Sequence, residues 1–96
     1  MLVLTRRQGE SLLIGNDIKI TVCIIYKTQI KLEINDSEVV TIKQQESISI
    51  SDGIKISVEE TRNNQVKLGI KAPESMKVDR VECVGGKCIV FCFWSN

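Results

Sequence analysis

A chain of 96 residues can form one small hydrophobic core but is too short to be divided between two stable domains. Hydrophobic residues make up 43% of the chain and aromatic residues only 4%, and the abundance of Ile and Val favours strands over helices. The formal net charge of +1 excludes a general attraction to nucleic acid, so that a nucleic-acid site would depend on a local cluster of cations.

Short segments of apolar, mostly β-branched residues alternating with polar ones recur along the chain, a pattern typical of strands. Clusters of Gly, Asn, Asp, Ser or Pro separate these segments at the intervals of a hairpin-rich sheet. We therefore expect little or no helix. In chain order, the predicted strands cover residues 2–4, 11–14, 18–22, 30–34, 39–42, 48–50, 54–58, 66–70 and 87–94.

The start of the chain lacks the long apolar run of a secretory signal, and no stretch approaches the ~20 apolar residues that cross a bilayer. We therefore expect a cytoplasmic protein with no membrane partner. In that compartment the four cysteines, Cys23, Cys83, Cys88 and Cys92, are expected to be reduced thiols.

The chain contains an internal repeat. When the sequence is shifted by 36 residues against itself, residues 3–38 align with residues 39–74 without gaps, and 15 of these 36 positions are identical. Strand alternation would match apolar residues with each other, whereas these identities also include polar pairs such as Glu10 with Glu46. The pattern therefore indicates a duplication.

We call the two halves copy one, about residues 3–38, and copy two, about residues 39–80, and we call residues 36 positions apart equivalent. Both belong to a single domain spanning residues 1–96, with an extra strand at about 87–94. Because each copy is too short to bury its own sheet faces, we expect the copies to pack together about a pseudo-two-fold axis, as two subunits of a dimer would.

The start of copy one and the end of copy two resemble the CsrA/RsmA family of carbon storage regulators. Residues 1–15 read MLVLTRRQGESLLIG, which is similar to the start of that family, and residues 65–80 read QVKLGIKAPESMKVDR, which is similar to its second half. If residue 17 is joined directly to residue 54, an almost complete family sequence results, and the resemblance then covers ~50 residues.

The resemblance implies an all-β, CsrA-like fold of interleaved antiparallel sheets, a barrel-like sandwich in which two fused repeats replace the two subunits of the family's dimer. It also implies a regulator of translation, because such proteins bind GGA-containing hairpin loops in messenger leaders and block ribosome access. We therefore expect RNA as the partner, with small regulatory RNAs and a protein antagonist as further candidates. We expect no cofactor, and a monomer that mimics the family dimer.

The binding residues are also implied by the resemblance, because each family site joins the first strand of one subunit to the fifth strand of the other. Here copy one keeps the first strand, residues 2–7, and copy two keeps the last, residues 76–80, so pairing across the pseudo-axis would assemble one complete site. Arginine suits contacts with phosphates and splayed bases, and strand edges suit contacts with loop bases. The residues assigned in this way are Leu4, Thr5, Arg6, Arg7, Ala72, Pro73, Val78 and Arg80.

The second site is expected to be damaged. Segment 39–44 would have to serve both as the last strand of copy one and as the first of copy two, which leaves one strand missing. We expect the tail strand, residues 87–94, to fill that vacancy and to pair beside residues 39–44. Relative to the retained site, Gln44 is equivalent to Arg80, Ile42 to Arg6, and Asp36-Ser37 to Ala72-Pro73.

A protein-interaction module that keeps the fold but has lost RNA is the second hypothesis. The near-neutral charge and an apolar tail with Phe91, Phe93 and Trp94 are compatible with a partner surface.

A zinc or thiol sensor is a weaker alternative. Zinc could be bound by Cys83, Cys88 and Cys92, but their spacing is unusual and the chain has no His to complete a mixed site. We therefore expect no metal, and we interpret these cysteines as small buried side chains. The lack of His, of a nucleophile motif and of a phosphate loop argues against an enzyme.

Overall fold

The described chain is built from β-strands alone. The computed structural model describes residues 1–15, 17–51, 53–73, 75–84 and 87–94. These residues include no helix, and therefore none long and apolar enough to span a membrane. The prediction of an all-β fold is confirmed. The strands are β1 (Leu2–Arg7), β2 (Ser11–Ile14), β3 (Ile18–Ile25), β4 (Gln29–Ile34), β5 (Glu38–Lys43), β6 (Ser47–Ser51), β7 (Ile54–Arg62), β8 (Gln65–Lys71), β9 (Val78–Val84) and β10 (Lys87–Trp94).

These strands form two antiparallel sheets whose members are exchanged between the copies. One sheet has four strands in the order β1-β8-β7-β6, and the other has six in the order β10-β9-β2-β3-β4-β5. Strand β1 of copy one therefore joins the sheet of copy two, whereas β5 and β9 of copy two flank the three central strands of copy one. Each sheet therefore contains strands from both copies.

The strand registers follow a pseudo-two-fold relation. Where β1 pairs with β8, Leu2 lies opposite Ile70. Where β5 pairs with β4, Glu38 lies opposite Ile34. Glu38 is the equivalent of Leu2, and Ile70 is the equivalent of Ile34, so the two ladders have the same register. The β-bulges between β3 and β4 and between β7 and β8 also fall at equivalent positions.

The turns that connect the sheets repeat the same hydrogen bonds. The Gly9 backbone N–H donates to the Val22 carbonyl oxygen over 2.6 Å, and the equivalent Gln45 N–H donates to the Val58 carbonyl over 2.7 Å. Gly9 has a φ of 90° and Gln45 a φ of 70°. Since a left-handed backbone is more favourable for glycine, copy two keeps this turn at some cost in strain.

The core lies between the two sheets and consists of Leu, Ile and Val. Period-two alternation turns one face of each strand inward, and equivalent residues such as Ile20 and Ile56 are both fully buried. Burying one such side chain contributes about 1.5–3 kcal/mol to the free energy of folding. The buried apolar residues are Leu4, Leu12, Ile14, Ile20, Val22, Ile30, Leu32, Ile34, Ile42, Ile54, Ile56, Val58, Val66, Leu68, Ile70 and Val78.

The predicted position of the tail strand is wrong. β10 pairs with β9, with Phe91 opposite Arg80, and not with β5. Within the described chain β5 pairs only with β4, as the first strand of copy two, and it does not double as the last strand of copy one. Only residues 85–86 separate β9 from β10, and antiparallel strands joined by so short a connection pair with each other most readily.

One strand position therefore stays unfilled. β2 pairs with β3 on one side and with β9 on the other. Its equivalent β6 pairs with β7, and no described strand lies on its second side. β6 is thus a free edge of the four-stranded sheet.

Candidate nucleic-acid interface

Strand β1 forms the other edge of the four-stranded sheet and alternates between core and solvent. Leu4 and Arg6 point inward and are each only 3% exposed. Val3, Thr5 and Arg7 lie on the outer face and are exposed. A ligand that approaches this face from solvent would therefore meet Thr5 and Arg7, whereas Leu4 and Arg6 would support the strand from beneath.

The buried guanidinium of Arg6 joins β1 to the start of β2. Its Nη1 donates to the Ser11 carbonyl oxygen over 3.2 Å, and its Nε donates to the Thr5 carbonyl over 3.1 Å. Its Nη2 lies 3.7 Å from Glu10 Oε1. Charge-assisted contacts of this kind offset the cost of removing a cation from water. Arg6 therefore positions β1 against β2.

Through Ser11, the first strand of copy one meets the last strand of copy two. Ser11 lies opposite Val81 in the β2–β9 ladder, and Leu12 lies opposite Arg80. The Arg6 side chain binds the carbonyl of Ser11, and β9 pairs with β2 at the same residue, so β1 and β9 are linked indirectly through β2. Residues of both predicted halves therefore border β2, and the side chain of Arg80 lies outside the described residues.

Ala72 and Pro73 lie towards the other end of β1, and Val78 pairs with Ile14 at the end of β2. Ala72 and Pro73 follow directly after β8, whose Ile70 is paired with Leu2. Ala72 is half-buried and Pro73 is exposed, whereas Val78 at the start of β9 is fully buried. The predicted residues therefore lie on β1, directly after β8 and on β9, rather than surrounding one point.

The outer face beside β1 contains two adjoining hollows. On this face Thr5 lies opposite Lys67, and Arg7 lies opposite Gln65, in the β1–β8 ladder. Arg62 contributes to both from β7. The first hollow is lined by Thr5, Glu60, Arg62, Gln65 and Lys67. The second is lined by Arg7, Arg62, Asn63, Asn64 and Gln65.

These hollows concentrate positive charge on a chain that is almost neutral. Arg7, Arg62 and Lys67 line them together with a single carboxylate, that of Glu60. Arg62 Nε donates to Glu60 Oε1 over 2.7 Å, and Lys67 Nζ lies 3.9 Å from Oε2. The hydrogen bond from Arg62, aided by its charge and that of Lys67, lowers the pKa of Glu60. The carboxylate is therefore ionised at neutral pH and reduces the positive potential of the cluster.

Sequence reasoning did not identify Glu60, Arg62 or Lys67 as part of this surface. A signal was available, since alternation places Lys67 on the outer face of β8 and the repeat predicts that β8 is adjacent to β1. The position of Arg62 could not be found in the same way, because the bulge between Val58 and Glu60 shifts the register of β7.

In the second half, the position equivalent to Arg6 has no cation. Ile42 is the structural equivalent of Arg6 and is 1% exposed, so an apolar side chain replaces the buried cation. Asp36 and Ser37 lie in the tight turn between β4 and β5. Gln44 lies in the turn after β5, with its N–H donating to the Thr28 carbonyl over 2.7 Å, so its equivalence to Arg80 is one of sequence only.

The cysteines show no arrangement typical of a metal site within the described residues, which contain no group of three metal-ligating side chains. Cys23 is a half-buried free thiol, and burial, followed by the nearby charge of Glu33, raises its pKa. The side chains of Cys83, Cys88 and Cys92 lie outside the described residues, so the alternative of a zinc or thiol sensor stays a hypothesis.

Comparisons with known proteins match both copies to one family. The sequence model of the CsrA global regulator protein family matches the chain twice, over residues 1–42 and 38–85. The proteins named translational regulator CsrA from Clostridium kluyveri and Hydrogenovibrio crunogenus are each 55% identical to this chain over 42 residues. The one from Clostridium botulinum strain Langeland is 52% identical over 42 residues. The match covers 44% of this chain and 58% of the Clostridium kluyveri protein. No solved structure matches the chain.

Proposed function

The chain belongs to the CsrA family of global regulators, and on that premise we propose that it regulates translation by binding GGA-type motifs in single-stranded or hairpin-loop RNA through one site at β1 and β9. The observation that carries the proposal is the link from Arg6 through Ser11 to β9, because it joins the first strand of copy one to the last strand of copy two. Messenger leaders are the proposed targets, and small RNAs and a protein antagonist are proposed as competitors.

The cation cluster beside β1 supports this proposal on electrostatic grounds. A chain with a net charge of +1 needs a local concentration of positive charge to hold phosphates, and Arg7, Arg62 and Lys67 supply one. Arg7 is exposed at the end of β1, where its guanidinium is accessible to a phosphate or to the face of an unstacked base.

The eight predicted residues have different parts in the proposed site. Thr5 and Arg7 are accessible for direct contact, and Ala72 and Pro73 border the surface beyond the opposite end of β1. Three residues are buried and form its support: Leu4, Arg6 and Val78. Direct contact with RNA stays a prediction for all eight residues, including Arg80.

The proposal is tested by comparing Arg7→Ala with Lys43→Ala. Lys43 is the equivalent of Arg7 and is also exposed at the end of an edge strand. With a labelled GGA hairpin, Arg7→Ala is expected to weaken binding about tenfold, because one charge-assisted contact is lost. It should also make the dependence of log K on log salt shallower by about 0.7. Lys43→Ala should change neither quantity appreciably.

Equal losses in the two variants would contradict a single site at the β1 end, and no loss in either would contradict the RNA interface altogether. A hairpin in which CCU replaces GGA serves as the ligand control. Arg7 is a cleaner choice than Arg6, because Arg6→Ala would also remove the buried contacts that attach β1 to β2.

The protein-interaction module is the second candidate, and the position of β10 favours it. β10 covers the edge of β9 that does not face β2, so that edge is not free to bind RNA in this arrangement. This candidate predicts that the purified chain retains no GGA hairpin even at low salt, and it is abandoned if Arg7-dependent binding is measured.

A further inference from the structure

Strand β6 is an edge strand whose equivalent is covered. β2 is flanked on both sides, by β3 and β9, whereas β6 has only β7 beside it among the described strands. The β2–β9 ladder shows that the fold accommodates an antiparallel strand at this position, because Ser11 to Ile14 pair with Val81 to Val78 there. The outer edge of β6 is the equivalent position without such a strand.

The missing neighbour leaves apolar surface uncovered. Leu12 and Ile14 of β2 are fully buried, whereas the equivalent Ile48 and Ile50 of β6 are only half-buried. All four side chains point towards the core face of their strands, as the exposure pattern of β6 alternates regularly through its bulge after Ser49. A strand placed beside β6 would therefore cover both Ile48 and Ile50.

The sequence of β6 also lacks two of the usual protections of an edge strand, charged residues and proline, although β6 does contain a bulge after Ser49. Natural edges resist pairing with other chains by means of charged residues or proline. β1 has Arg6 and Arg7, and β5 has Glu38 and Lys43, but β6 contains only Ser and Ile. Its side chains therefore present no electrostatic barrier to another strand.

We propose that β6 pairs antiparallel with β6 of a second copy of this chain, about a two-fold axis at Ser49. The strand reads Ser-Ile-Ser-Ile-Ser, which is the same in both directions. About such an axis Ser49 lies opposite itself, and Ile48 lies opposite Ile50 of the second copy. Both isoleucine pairs fall on the core face and the serines on the outer face, so that the interface is self-complementary, as a two-fold contact requires.

This contact would fill the vacant position of both copies at once. The two four-stranded sheets would become one continuous sheet of eight strands across the axis. β1 lies three strand spacings from β6 in each copy, about 14 Å away, so the proposed RNA surface would stay open. The dimer would carry one such surface per chain.

The experiment is sedimentation equilibrium of the full chain across about a hundredfold range of concentration, since mass action separates monomer from dimer. Ser49→Lys is the test variant, because it places two ammonium groups opposite each other at the axis. We expect the wild type to dimerise and Ser49→Lys to raise the dimer dissociation constant at least about tenfold. Thr41→Lys is the matched control, since Thr41 is an exposed central residue of the edge strand β5 and should leave dimerisation unchanged.

A second measurement locates the contact without disturbing it. Under mild oxidation Ser49→Cys should form a disulfide-linked dimer, seen on a non-reducing gel, because residues opposite each other across a two-fold strand pair approach within about 5.5 Å. Wild type and Thr41→Cys control for the native cysteines and for chance collisions. A wild type that is monomeric throughout the concentration range would overturn the proposal, as would a dimer insensitive to Ser49→Lys or cross-linking of Thr41→Cys equal to that of Ser49→Cys.

Discussion

Replacing Glu60 by Gln is expected to strengthen RNA binding. Glu60 is the carboxylate within the cation cluster beside β1, with Arg62 hydrogen-bonded to one oxygen and Lys67 near the other. Gln keeps the shape of the side chain and removes its charge, so both cations become available to phosphate. Most substitutions at a binding surface lower the affinity, whereas this one should raise it.

The magnitude follows from Coulomb's law at an exposed surface. A phosphate about 7 Å from the carboxylate is repelled in water by an energy that corresponds to about a threefold change in affinity. Salt reduces this value, because the Debye length at physiological ionic strength is about 8 Å. We therefore expect Glu60→Gln to bind a GGA hairpin about two- to threefold more tightly, with the difference largest at low salt.

The pH dependence supplies a second readout. Because Arg62 holds the pKa of Glu60 below its usual value, the wild-type carboxylate stays charged until the pH falls below the usual range of a glutamate. The affinity of wild type should then rise towards that of Glu60→Gln as the pH falls through this lowered pKa. Binding is measured by fluorescence anisotropy at several pH values and salt concentrations.

The control is Glu38→Gln, which removes an exposed carboxylate from β5 in the other sheet and should leave affinity almost unchanged. If Glu60→Gln binds no more tightly than wild type, or if Glu38→Gln has the same effect, the assignment of the RNA surface to the cluster beside β1 is refuted.

Two further predictions concern stability. Gly69→Ala should lower the free energy of unfolding by about 0.5–1.5 kcal/mol, because an added Cβ would lie 2.6 Å from Ser57 Oγ, which must rotate and lose its hydrogen bond to the Gly69 carbonyl oxygen; an unchanged thermal midpoint would contradict this. Leu32→Ala and Leu68→Ala change equivalent, fully buried residues, and each should cost about 2–5 kcal/mol in urea denaturation. If one of the two substitutions were harmless, the copies would not share a single core.

The repeat explains why much of the fold could be predicted from sequence. Identities at polar positions such as Glu10 and Glu46 indicated the duplication, and the structure gives both the same role: the carboxylate of each accepts the backbone N–H at the end of the preceding edge strand. Alternation of apolar residues was sufficient to place the strands and the core, because burial in a sheet depends directly on the period of two.

The burial of Arg6 could not be predicted from its residue type alone. The pair Arg6-Arg7 suggests two exposed cations. Arg6 instead lies on the same inward face as Leu4, and its guanidinium donates a hydrogen bond to the Ser11 carbonyl oxygen. The partner of the tail strand was also misjudged, since an apolar strand suits any free edge and the symmetry argument favoured β5. β10 pairs with β9 instead, because the connection between these two strands is short, and β6 is left as an edge strand.

We propose that the duplicated chain carries one RNA surface rather than the two of a symmetric dimer. Native mass spectrometry of the full chain with excess GGA hairpin tests it most directly, because it counts RNA molecules and protein chains in the same complex. We expect one hairpin per chain, whether the protein is a monomer or pairs through β6. Complexes with two hairpins on a single chain would contradict it.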